Sequence, residues 1–250
     1  MELLPPEISS WLAVGLVALS FVTSFIAITA GLGGGVVMIA VLASVLPAAA
    51  VIPVHGLIQV GSNSGRAFML RSHVVWPVVA WFSVGAVLGA WIGGSVLVAL
   101  PTAVLQLAIG LFVLYSVWGP TIRKQRITNL AFLPVGVAIG FLTMFVGGTG
   151  PFVAMFISPD TFGKEPTSAT HGACMTVQHS FKVIVFALLG FAFGPWLGLI
   201  AMMIATGLLG IWVGRSVLLK LPERTFKIIF NTVLTLLALQ LLWSALGTLI

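Results

Sequence analysis

Acidic side chains are nearly missing from this chain. Five Asp and Glu residues stand against 11 Lys and Arg in 250 residues, and charge of both signs together reaches only 6%. A cation pump or cation channel carries carboxylates at membrane depth, so this inventory points to an anionic cargo. It also leaves little material for paired catalytic carboxylates. No Ser-His-Asp set and no HExxH motif are found, and the chain is read as a non-enzyme. Cysteine is scarce as well: Cys174 stands alone, which excludes an internal disulfide and a thiolate-rich metal or iron–sulfur site. No cofactor is expected. The material of a soluble surface is also lacking, because 60% of residues are hydrophobic and the mean hydropathy is +1.20.

What is there reads as an all-α polytopic membrane protein with about eight hydrophobic bands. Apolar runs such as Trp11 to Ala30, Trp76 to Leu100 and Thr225 to Leu249 match the ~20 residues a helix needs to cross the hydrocarbon core. The opening Met1 to Glu7 is acidic and proline-rich without a basic region, so the first run is read as a retained span. A net charge of +6 could suggest nucleic acid, but that reading needs a clustered basic face with stacking aromatics. The cations lie instead at the ends of spans.

The chain is duplicated. Gly31 and Gly147, His55 and His171, Ser64 and Ser180, and Arg66 and Lys182 all stand 116 positions apart. A second ungapped match pairs Gly89 to Pro101 with Gly210 to Pro222, at an offset of 121. This gives a first transmembrane repeat over 1–119, a basic linker over 120–128 and a second repeat over 129–250. Because the matched residues include ionisable groups in apolar surroundings, the duplication carries a site as well as a scaffold.

Basic residues gather at Arg66 and Arg71, at Arg123, Lys124 and Arg126, and at Arg215, Lys220, Arg224 and Lys227. The positive-inside rule puts all three groups on the cytoplasmic side. The counterpart of the third group, Gly94 to Gln106, has no charge, so equivalent loops face opposite sides and the halves form inverted repeats with both termini outside. The stretch from Trp11 to Gly65 must then hold one or three crossings. Val36 to Leu46 and Ala48 to Gly61 are candidates for half-length or re-entrant helices. Eight ordinary spans with parallel repeats are the alternative arrangement.

Two glycine clusters interrupt the apolar runs: Gly31 with Gly33, Gly34 and Gly35, and Gly147, Gly148, Thr149 and Gly150 followed by Pro151. Each is expected to end one helix and begin another. A helix that starts inside the membrane points unpaired N–H groups and its positive dipole end at whatever precedes it, and two such ends would cradle an anion. Gly85, Gly89 and Gly93 recur every four residues and read instead as helix-packing positions.

Each break is followed by a polar stripe. His55, Gln59, Asn63 and Arg66 fall on one helix face, as do His171, Gln178 and Lys182, with His179 and Ser180 alongside. Strongly polar groups in hydrocarbon must turn inward, so both stripes are candidate binding surfaces. Lys182 is the cation that the charge rule does not explain. Arg66, close to Arg71, is expected to be an interfacial anchor. Thr149, Thr167, Ser168 and Thr170 are candidate hydroxyl donors near the second break, and common helix-packing residues as well.

These features together resemble the TauE/SafE-type sulfite exporter family, also called the sulfonate uptake permease group. The likeness rests on the duplicated breaks (Gly31 to Gly35; Gly147 to Pro151), each followed by a polar helix (His55 to Arg66; Thr170 to Lys182), and covers nearly the whole chain. It implies a multi-pass transporter of the bacterial inner membrane that moves sulfur-containing anions such as sulfite or organosulfonates. At His55 and His171 the family more usually has a small hydroxyl residue; this departure leaves the cargo open and admits a coupling proton. The expected substrate site comprises Gly33, Gly34, Gly35, His55, Gln59, Asn63, Gly148, Thr149, Gly150, Thr170, His171, Gln178 and Lys182. Expected partners are a small anion, the lipid bilayer and a possible coupling proton, with homo-oligomers possible and nucleic acid excluded. A passive anion channel with the same lining, and a haem protein ligated by His55 and His171, are the competing readings.

Overall fold

A computed structural model describes residues 4–5, 8–29, 33–96, 101–119, 127–157, 159–217 and 223–249 of the chain. The regular structure in these residues is helical throughout. The apolar runs form α1 (Ser10–Thr29), α4 (Trp76–Val96), α5 (Thr102–Trp118), α6 (Phe132–Val146), α10 (Leu197–Val217) and α11 (Glu223–Leu249). The polar stripes form α3 (Ala48–Met69) and α9 (Lys164–Leu188), while α2 (Gly34–Val45), α7 (Gly150–Phe156) and α8 (Pro159–Phe162) are short. Segments 10–28, 76–96, 129–146 and 194–216 are long and apolar enough to cross a membrane. Large apolar side chains such as Trp91, Leu111, Trp212 and Trp243 stand exposed on the outside, a surface suited to lipid rather than water. The protein is a multi-pass membrane protein.

The helix contacts cross between the two halves of the chain. Gly89 lets α4 approach α6 until a methyl group there would overlap the Val137 carbonyl, and Gly210 brings α10 equally close to the Phe21 carbonyl of α1. The offset of 121 carries Gly89 onto Gly210, and that of 116 carries Phe21 onto Val137, so the two contacts are counterparts. The packing role expected of Gly85, Gly89 and Gly93 is what these residues do. In both pairs the contacts advance together along the two helices, so α1 runs with α10 and α4 runs with α6.

Between α3 and α9 the order is reversed. Gly56 lies against Lys182, and Gly172 lies against Arg66. Gly56 and Gly172 are repeat mates, as are Arg66 and Lys182, so one contact is made twice between helices running in opposite directions. Gly61 meets Ile204 and Gly65 meets Leu208, so α3 and α10 run in the same sense and the ends bearing Arg71 and Arg215 lie on one side.

One local expectation differs from the structure. Ala48 to Gly61 is no half-length helix, because α3 continues unbroken to Met69. Its glycines admit neighbouring side chains of α9 and α10 and do not end the helix. Residues 159–166 are largely helical and hold α8 and the start of α9, where exposed Glu165 pairs with His73 Nε2 at 3.7 Å. Gly31, Arg123, Lys124, Arg126 and Lys220 lie outside the described residues.

Candidate functional site

The site begins with the backbone of the two breaks. Helix α1 stops at Thr29 and α2 starts at Gly34, preceded by Gly33 at φ 100°, a left-handed conformation that favours glycine. The Gly33 carbonyl accepts from the N–H groups of Val36 and Val37, which closes the first turn of α2. In the second half α6 ends at Val146, Gly147 takes φ 76°, and α7 starts at Gly150 with Pro151 in its first turn. Each break thus ends one helix and starts another.

Helices α3 and α9 turn their polar stripes toward these breaks. His55, with no exposed surface, donates from Nε2 to the Gly35 carbonyl at 3.0 Å, and His171 donates from Nε2 to the Gly150 carbonyl at 3.0 Å. A carbonyl can only accept, so both imidazoles carry their proton on Nε2 and present a lone pair at Nδ1. His171 Nδ1 accepts from Arg66 Nη2 at 2.8 Å, since a guanidinium only donates. Arg66 also reaches Asn63 Oδ1 and the Ala27 carbonyl. Asn63 Nδ2 in turn donates to Gln59 Oε1 at 3.0 Å. One continuous chain of bonds therefore links Gln59, Asn63, Arg66, His171 and the second break.

A cavity of about 30 Å³ lies between the two breaks. Its walls include Gly33, Gly34, Gly35, Gly148 and Gly150 from the breaks, His55, Gln59, Asn63 and Arg66 from α3, and His171 and His179 from α9. The volume suits water molecules or a small ion. No wall residue is a carboxylate.

Three of the expected residues stand behind the walls. Lys182, fully buried, donates from Nζ to the Gly147 carbonyl at 3.1 Å, an oxygen that also accepts from Thr143 Oγ1. Gln178 Nε2 donates to Thr149 Oγ1 at 2.6 Å, which ties α9 to the start of α7. Thr170 is placed elsewhere: its hydroxyl accepts the Val75 N–H at the start of α4 and takes no part in the cavity. Thr167 and Ser168 have buried hydroxyls at the start of α9 and are not among its walls.

Arg66 departs most from its sequence-based expectation. An interfacial anchor would extend its guanidinium into water, yet Arg66 is 3% exposed and forms a cavity wall. Its repeat relation to Lys182 was the available signal. His179, set edge-on to His55 with ring centres 5.6 Å apart, is a wall as well. It has no repeat counterpart among the matched residues, and its neighbour Ser180 carries the match.

A sequence profile described as Sulfite exporter TauE/SafE matches residues 16–241. The chain belongs to this family. A curated relative from Haemophilus influenzae, described as a probable membrane transporter protein, is 31% identical over 187 residues, which cover 70% of this chain and 73% of the relative. No solved structure matches the chain. Membership of the TauE/SafE family makes the protein a membrane transporter, and the cavity is its candidate substrate site. The haem reading is not favoured. Both Nε2 atoms that would ligate iron are bound to carbonyl groups, and the cavity is far smaller than a macrocycle.

Proposed function

We propose that the protein is a secondary transporter of a small sulfur-containing or organic anion such as sulfite or a sulfonate, working outward across a bacterial inner membrane. The observation that carries this reading is a cavity with a buried guanidinium and two helix starts in its walls and no carboxylate among them. Buried positive charge and oriented N–H groups favour an anion over any cation. Lys182, one step behind the second break, adds positive potential from the other repeat. The test is flux in proteoliposomes loaded with sulfite or methanesulfonate under an imposed proton gradient. Accumulation against the anion's electrochemical gradient is expected. Flux that only ever runs downhill would make the protein a channel.

We also read the halves as inverted repeats. Support comes from the antiparallel α3 and α9, because a two-fold that exchanges antiparallel mates lies perpendicular to them and hence in the membrane plane. With Cys174 replaced, a cysteine at Gln125 should resist an impermeant thiol reagent in intact cells, while one at exposed Thr102 should react. Labelling of Gln125 from outside would rule out this orientation.

A further inference from the structure

Arg66 and Lys182 are repeat mates, yet they are seated differently. Arg66 Nη2 donates to His171 Nδ1 at 2.8 Å and to Asn63 Oδ1 at 2.9 Å, while Lys182 Nζ rests on the Gly147 carbonyl. The offset of 116 that carries Arg66 onto Lys182 also relates His171 to His55 and puts His179, unlike in type, at the position of Asn63. The acceptors of Lys182 that would mirror those of Arg66 are therefore His55 Nδ1 and His179 Nδ1. Both atoms are buried, and among the described residues neither has a hydrogen-bond partner. His55 Nδ1 is a lone pair, because the ring proton goes to the Gly35 carbonyl. Buried polar atoms without partners are rare in folded proteins. Of the five such side-chain atoms among the described residues, two are the pair that the repeat assigns to Lys182.

Lys182 has a short way to go. Its Nζ already lies on Gly147, and a methyl group at Gly147 would stand 3.7 Å from His55 Nδ1. Its stem crosses α3 at Gly56, next to His55, as Arg66 crosses α9 at Gly172, next to His171. Departure from Gly147 strands no acceptor, since Thr143 Oγ1 also donates to that carbonyl. An ammonium has three rotatable donors, enough for both rings. Resting on the reading of the halves as inverted repeats, we infer that His55 Nδ1 and His179 Nδ1 form a second seat for the Lys182 ammonium. His179 accepts there with its ring proton on Nε2. In the state described, Arg66 holds His171 and Asn63 and Lys182 is off its seat. In the other, Lys182 holds His55 and His179 and Arg66 lets go. Each state satisfies the acceptors that the other leaves bare, which makes the pair of helices a bistable element. Arg66 is a wall of the cavity, so its release changes that wall.

The experiment is nitrogen NMR of the full-length protein in lipid bilayers with isotope-labelled histidine rings, at about pH 8, where imidazole is ordinarily neutral. An unprotonated ring nitrogen moves upfield when it accepts a hydrogen bond. The Nδ1 signals of His55 and His171, assigned by replacing the histidines one at a time, thus report the two seats. In the parent both signals should exchange between free and bonded positions, and Lys182→Met should hold His55 free and His171 bonded. Arg66→Met should do the reverse, freeing His171 Nδ1 and moving His55 Nδ1 upfield, and Lys182→Met added to it should abolish that shift. Arg66→Gln, which still reaches a backbone carbonyl, serves if Arg66→Met does not fold. A His55 Nδ1 that stays free in the Arg66 variants overturns the inference, as does a shift that survives loss of Lys182. If neither Arg66 variant folds, the parent decides: a His55 Nδ1 without exchange overturns it. No sulfite or sulfonate takes part, so failure here leaves anion transport to the flux measurement and the repeat orientation to the labelling at Gln125.

Discussion

Lys182→Met should yield a protein that is more stable than its parent when empty and nearly insensitive to anions. Lys182 is fully buried, its ammonium rests on the Gly147 carbonyl, and among the described residues no carboxylate lies within ion-pair distance of it. Burial of such an ion costs several kcal/mol, and methionine keeps the stem without that cost. The carbonyl remains satisfied by Thr143. With an anion in the cavity the balance reverses. Attraction across roughly 4–6 Å in a partly screened interior is about 3–4 kcal/mol, or about a hundredfold or more in affinity. Thermal midpoints with and without sulfite, together with proteoliposome flux, read both effects. Lys182→Arg should keep part of the flux, because a guanidinium presents its donors differently and the stem crosses Gly56 with no room to spare. Parental flux in Lys182→Met would mean that Arg66 and the backbone hold the anion alone.

Gly89→Val and Gly210→Val should each cost most of the folded protein, and to a similar degree. Either side chain would be driven into a carbonyl of the facing helix, Val137 in one case and Phe21 in the other. Overpacking costs ~1–3 kcal/mol where side chains can yield, and a helix backbone yields less than they do. Gly15 is the control: a methyl group there meets nothing within 4 Å, and Gly15→Ala should be neutral or stabilising by about 1 kcal/mol. Monodisperse yield and thermal midpoint in detergent are the measurements. Collapse of one valine variant alone would show that the two contacts, alike in geometry, differ in weight.

The parts of the fold legible in the sequence were those fixed by spacing. Helix breaks at glycine clusters, a packing face at Gly85, Gly89 and Gly93, and two polar stripes each follow from a period or a conformational preference that needs no knowledge of partners. The continuation of α3 through Ala48 to Gly61 is not legible in the sequence, because glycine in a membrane helix has two uses, and only the neighbouring Ile204 and Leu208 show which one applies. The place of Arg66 is hidden for a similar reason. Proximity to Arg71 suggested an interface, whereas the length of α3 and its pairing with α9 carry Arg66 inward to His171. Thr170 has the composition of a ligand residue, but the start of α4 takes its hydroxyl first. The lone pair at His55 Nδ1 could not be read at all, because it depends on which ring nitrogen meets Gly35.

The crossed pairing of α1 with α10 and α4 with α6 has a consequence for how the chain is made. Equivalent pairs in space are far from equivalent in time, because α6 begins at Phe132, soon after α4 ends at Val96, whereas α1 ends at Thr29 and its partner begins only at Leu197. At ~5–20 residues per second, α1 waits on the order of ten seconds or more for the surface it will bury. Over that interval the Met203 carbonyl, to which Ser20 finally donates, has not yet been synthesised. The nascent first half is thus a natural client for a membrane insertase or chaperone that shields one face of a single helix until α10 is synthesised.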